Sequence, residues 1–293
     1  MDIKKKVLRC EWLLALLLVV PAVASADNNG VRYYVSLGTS LSVGVQPDAS
    51  GNNQLTNDGY ADQLFDIIEP NYRKIRHVKL GCSGETTTTM MVGGKCTYEE
   101  GSQLAQAVEF LHAHKDKVEL VTIDIGVNDI LAAGCIVGTD VDFGCIQLAF
   151  NQIGTNLPLI LAAITQAADP ETTIIGMNYY NTFLAFWLTG PAGQQLAIES
   201  NLLASLLNYD VLGSAETASG VYGLFGISVA DVAGAFQSSN FDLAPEPYPP
   251  IPMNVLLICQ WTYMCAPSPV GPNVHANPVG YGVIAATFAA KLP

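Results

Sequence analysis

Apolar residues fall along the chain in short runs that alternate with longer segments of helical periodicity. Tyr33–Leu37, Ile75–Leu80, Glu119–Ile125 and Thr172–Met177 are short, β-favouring runs, several of them ended by Gly, and they read as buried strands. Between them, Ala61–Glu69 reads as a helix stopped by Pro70, and Ser102–His114 places Leu104, Ala107, Val108 and Leu111 on one helical stripe. Ile146–Ala168 reads as a long helix that Pro158 kinks or divides. Val255–Ile258 is the candidate fifth strand. Strand-like and helix-like segments in alternation predict an α/β fold, a parallel sheet covered by helices on both faces. The stretch from about 183 to 253 departs from the alternation and is read as an apolar insertion over one edge of the site. No polar linker marks a second domain.

The beginning of the chain reads as an address. Lys4, Lys5, Lys6 and Arg9 precede the apolar run Trp12–Val20, and Ala24-Ser25-Ala26 closes it, so residues 1–26 are expected to be a secretory signal peptide and 27–293 a single domain. The run is short for a membrane span, and no stable membrane anchor is expected. Residues 1–26 hold four of the 13 Lys+Arg and two of the 26 Asp+Glu. The remainder carries 9 against 24, a net charge of −15 that disfavours nucleic acid and anionic membrane as partners.

Past the leader stand six cysteines, an even set that in an exported chain reads as disulfides. Sequence alone does not choose the connectivity. The spacing suggests three local pairs: Cys82 with Cys96, Cys135 with Cys145, and Cys259 with Cys265. No Cys-x-x-Cys occurs and the histidines lack ligand spacing, so no metal is expected.

Four short blocks at predicted strand ends carry the candidate chemistry: Gly38-Thr39-Ser40-Leu41, Gly81-Cys82-Ser83-Gly84, Gly126-Val127-Asn128-Asp129 and Asn273-Val274-His275. Each alone is weak, since Ser40 reads as a turn or cap serine, Gly84 as a turn glycine and Asn128 as a helix cap. In this order and together they resemble the blocks of the SGNH/GDSL hydrolases, with Thr39 where that family usually has aspartate. The resemblance implies a three-layer, flavodoxin-like sheet of about five strands and ester hydrolysis through an acyl-serine intermediate. It implies Ser40 as nucleophile, His275 as general base, and an oxyanion hole from the N–H groups of Ser40 and Gly84 and the Asn128 amide. No cofactor is implied. His77, His112 and His114 are read as structural or surface histidines.

One departure stands out. The family places an aspartate shortly before the histidine, and this chain has Asn273, a possible third member of the triad. Either the Asn273 side-chain oxygen or a backbone carbonyl must then orient His275, and the carbonyl is the favoured expectation because an amide can flip. The expected substrate is a lipid or fatty acyl ester, with Phe183, Phe186, Trp187 and Leu188 as candidate walls of an acyl channel. The alternatives are a carbohydrate O-acetyl esterase and a catalytically silent member that binds acyl chains or glycans. A secreted monomer acting on a small-molecule or lipid ester is the expectation as a whole.

Overall fold

The computed structural model describes residues 30–246 and 249–293; the predicted leader lies outside them. Five strands form one parallel sheet: β1 (Arg32–Gly38), β2 (Ile75–Lys79), β3 (Val118–Asp124), β4 (Thr173–Met177) and β5 (Ser228–Ala230), in the order β2-β1-β3-β4-β5. This is the doubly wound order of the flavodoxin-like sheet, in which the chain leaves β1 in opposite senses on its two sides. The crevice at that switch point, beyond the carboxyl ends of β1 and β3, is where such sheets bind ligands.

The strands are apolar because both faces are covered. In β1, Tyr34, Val35 and Leu37 have no exposed surface, and in β3 Val121 and Ile123 have none. On the helical layers, α1 (Tyr60–Ile68) packs against the C-terminal helix, and α5 (Phe143–Ala167) packs on α2 (Thr87–Val92), α3 (Gln103–Ala113) and α4 (Val127–Leu131). The long helix α5 runs unbroken through Pro158, against the expectation of a division there. Ile146, Ala149, Ile153, Leu157, Ile160 and Ile164, spaced three or four apart, fix it to the core from end to end.

The expected fifth strand is a helix. Val255–Ile258 lies inside α7 (Met253–Trp261), which buries Asn254, Val255, Leu257 and Ile258. A four-residue apolar run does not distinguish a buried strand from a buried helical turn. The real fifth strand, Ser228–Ala230, has three small residues and lies within the 183–253 stretch. That stretch therefore completes the sheet as well as lying beside it. It also holds a 3₁₀ segment (Thr182–Thr189) and α6 (Pro191–Ser205), which continues as a π-helical segment (Leu206–Leu212). The chain ends in α8 (Pro278–Ala289).

Candidate active site

The serine block leaves β1 through Gly38, whose φ of +127° belongs to glycine. Gln103 grips that residue on both sides: its side-chain oxygen accepts from Gly38 N–H (2.6 Å) and its amide donates to the Gly38 carbonyl (3.0 Å). Thr39–Gly44 is a turn, closed by Val45 N–H donating to the Ser40 carbonyl (2.9 Å), and it leads into the hairpin Val45–Pro47/Asn53–Leu55. Ser40 is partly exposed, and among the described residues its hydroxyl has no hydrogen-bond partner.

The glycine block is tied to the serine block by Cys82 N–H donating to the Gly38 carbonyl (2.9 Å). Gly84 has φ +76°, and a Cβ there would run into the Lys95 side chain, so the backbone amide region is left open. Asn128 stands in the first turn of α4, after Gly126 at φ +122°. Its amide nitrogen donates one hydrogen to the Glu85 carbonyl (3.0 Å), which fixes the side chain beside the glycine block and leaves its second hydrogen free. Asp129 serves the frame: its carboxylate accepts from the Thr87 hydroxyl (2.6 Å) and N–H (2.9 Å) at the start of α2.

His275 lies on the short strand Asn273–Ala276, paired with Thr262–Tyr263, and is 7% exposed. Burial depresses its pKa to about 4, so the ring is neutral at neutral pH. The expectation of a backbone carbonyl as its partner is corrected here: Asn273 Oδ1 sits 2.7 Å from His275 Nδ1 and also accepts from the His275 backbone N–H (3.1 Å). A backbone N–H can only donate, so the Asn273 atom it meets must be the oxygen. The other end of the amide donates to Asn53 Oδ1 (2.8 Å), which holds it against flipping. An oxygen at Nδ1 requires the proton there, and Nε2 is left with its lone pair, the tautomer a general base needs. Tyr180 OH donates to the Val274 carbonyl (3.0 Å) and steadies the strand.

Ser40, Gly84, Asn128 and His275 line one cavity of about 440 Å³. Its walls are mostly apolar and include Ile130, Leu131, Ile146, Phe150, Leu203 and Leu207. Of the four residues expected to form an acyl channel only Phe183 lines it; Trp187 packs against Phe241 and Leu188 is half exposed. The walls come instead from α4, α5 and the far end of α6, whose apolar positions read in sequence as ordinary core. Three disulfides join Cys82–Cys96, Cys135–Cys145 and Cys259–Cys265. The first brackets Gly84, the second brackets the hairpin of Ile136, another cavity wall, and the third brackets Thr262–Tyr263, the partner strand of His275.

Sequence reasoning missed Gln103, Asn53 and Asp124. Asp124 had a signal, a carboxylate at the buried end of a strand. Asn53 had none. Among the described residues no group of acidic, histidine or cysteine side chains is placed to hold a metal.

This architecture recurs in solved structures. Phospholipase A1 from Streptomyces albidoflavus is 19% identical, with a TM-score of 0.52, covering 89% of this chain and all of that one. The extracellular lipase of Streptomyces rimosus is 18% identical (TM-score 0.50, covering 88% and 99%), and a lipase from a goat rumen metagenome 17% (TM-score 0.50, covering 88% and 96%). At such identities the likeness concerns the fold. No curated protein matches the chain in sequence. The model of the GDSL-like lipase/acylhydrolase family matches residues 34–288, which takes in all four blocks and all of the sheet but the first two residues of β1, and the chain belongs to that family of ester hydrolases.

Proposed function

We propose that this protein is an exported serine esterase acting on lipid or fatty acyl esters. The observation that carries the reading is the convergence of Ser40, His275, Gly84 and Asn128 on a single cavity with an apolar interior. A serine hydroxyl is a weak nucleophile until a base takes its proton, and His275, neutral and with Nε2 unprotonated, meets that need. Attack on the ester carbonyl creates an oxyanion, which the N–H groups of Ser40 and Gly84 and the free amide hydrogen of Asn128 stabilise. The imidazolium then protonates the leaving alcohol, and water hydrolyses the acyl-serine by the same steps in reverse. Asn273 holds the ring in its working tautomer without carrying charge.

The cavity supports an acyl chain longer than acetyl. Its size falls in the range of small-molecule pockets, roughly 300–1,000 Å³, and each methylene it buries contributes about 0.8 kcal/mol. An acetyl group would leave most of the apolar wall unused. Export is supported by the leader-like residues 1–26 and by the three disulfides. The test is a fluorophosphonate probe followed by p-nitrophenyl esters from acetate to palmitate. Labelling at Ser40 with kcat/KM rising from acetate into the medium chains is the expected result. Absence of labelling would leave only a binding role, and a preference for acetate would turn the reading toward a deacetylase.

A further inference from the structure

A carboxylate lies buried directly behind the turn that presents Ser40. Asp124 is the last residue of β3, has no exposed surface, and pairs in register with Gly38. Its Oδ2 accepts from the Thr39 hydroxyl (2.5 Å) and the Thr39 N–H (3.2 Å), and its Oδ1 accepts from Tyr60 OH (2.8 Å). No cation pairs with it among the described residues. An unpaired carboxylate in a core is costly, and its retention there needs a reason. The bonds on Thr39 extend through the turn: Ser42 Oγ donates to the Thr39 carbonyl (2.9 Å) and Leu41 N–H reaches the Thr39 hydroxyl (3.4 Å). There is no room for a side chain at position 38, where a Cβ would overlap the Asp124 carboxylate. The threonine at 39 also makes the arrangement possible, since an aspartate there would set two carboxylates against each other.

We propose that Asp124 is a positioning residue: its buried carboxylate clamps Thr39 and so holds the turn on which Ser40 is presented. The proposal rests on the reading of Ser40 as nucleophile. All three donors that meet Asp124 suit an ionised acceptor. When the carboxyl is protonated, one of its oxygens must donate, and the bonds to Thr39 or Tyr60 have to reverse. Burial pushes the Asp124 pKa up to about 7, so this change falls near neutral pH. The titratable groups facing it are phenols, Tyr60 on α1, Tyr34 on β1, Tyr179 and Tyr180 after β4, Tyr222, and Tyr281 on α8, all raised by burial and so neutral across that range. The carboxylates of Asp62, Asp129 and Glu85 are engaged by Lys79, Thr87 and Gln103. His275 titrates well below, at about 4. The clamp is therefore engaged above about pH 7 and slackens as pH falls below it.

The experiment is the pH profile of kcat for the wild type, Asp124→Asn, Thr39→Val and Tyr60→Phe on a soluble p-nitrophenyl ester. Circular dichroism at each pH monitors the fold. The wild type is expected to lose activity in two acid steps, one near 7 and one near 4. Asp124→Asn should lose the upper step and turn over about tenfold more slowly at pH 8 with KM within twofold, because the amide keeps the shape without the charge. Thr39→Val and Tyr60→Phe each remove a donor to the ionised form and should move the upper step to higher pH. They carry the test if the asparagine variant does not fold. A wild type that neither turns over nor labels at Ser40 sinks the nucleophile reading and this one with it. An active wild type with no step near neutral pH, or variants that leave that step in place, overturns the role of Asp124 alone.

Discussion

Two serines lie four residues apart, Ser36 within β1 and Ser40 just beyond its end, and each has a histidine near it, His77 by a hydrogen bond and His275 by the lining of a shared cavity. In the first, Ser36 Oγ is 2.9 Å from His77 Nε2, and His77 Nδ1 faces Asp62 Oδ1 at 3.9 Å, so a serine, a histidine and a carboxylate stand in sequence. In the second, Ser40 and His275 have only an amide, Asn273, in the third place. By residue type the first is the better triad. Yet Ser36 is sealed in mid-strand, the His77 ring is stacked between Tyr34 and Phe65, and Asp62 is held by Lys79 at 2.8 Å. Ser40 lies past the strand end, where the ladder stops and a cavity with free amide donors opens. A nucleophile needs a substrate and a place for the developing charge, and the carboxyl edge of the sheet supplies both.

The largest contrast is expected from the serines. Ser40→Ala should lower turnover by about 10⁴- to 10⁶-fold. Ser36→Ala should leave activity within a few-fold and cost about 1–3 kcal/mol of stability, because His77 loses its buried partner. Initial rates and thermal melts on both variants decide it; comparable loss of activity from Ser36→Ala would abolish the distinction drawn here. Asn128→Ala should lower kcat by about 10² to 10³ with little change in KM, since its amide meets charge that exists in the transition state. A change in KM alone would make Asn128 a substrate-binding group.

Asn273→Ala should cost about tenfold in kcat, the loss of one buried hydrogen bond and of tautomer control. Asn273→Asp should raise turnover and, by placing negative charge beside the ring, shift the lower acid step upward in pH. An unshifted step would show that the carboxylate does not reach Nδ1. The smallest effect concerns pH and stability. Burial lowers both His77 and His275 to about 4, below the value of about 6.5 for a free histidine. A depressed folded pKa gives stability that is present above about 6.5 and is lost as pH falls through about 4. His77→Phe should flatten that loss and leave turnover unchanged, and melts at several pH values would detect a profile as steep as before.

Much of this arrangement is legible in the sequence. Four of the five strands and three of the helices between them follow from periodicity, and the blocks of Ser40, Gly84, Asn128 and His275 from their resemblance to those of the SGNH/GDSL hydrolases. The cysteine pairs follow from their spacing. The rest depends on contacts across the chain. Ser228–Ala230 is too short to show a period, and Val255–Ile258 shows one that fits a helix equally well. Gln103 reads as one more polar residue at a helix start until Gly38 is seen against it, and Asn53, exposed on a hairpin 220 residues from Asn273, becomes meaningful only through the amide it holds.

None of the three disulfides fastens one strand of the sheet to another; two close segments that line the cavity, and the third closes the segment that pairs with the strand of His275. In the chain-entropy model each contributes on the order of 2–3 kcal/mol, and each acts on the segment it closes while the apolar core packs in the sheet and helices. A mild reductant should silence the enzyme while circular dichroism still reports native helices and strands, and reoxidation should restore the rate without refolding. If the rate falls before the circular dichroism does, oxidation of these three pairs is a condition of turnover separate from that of folding.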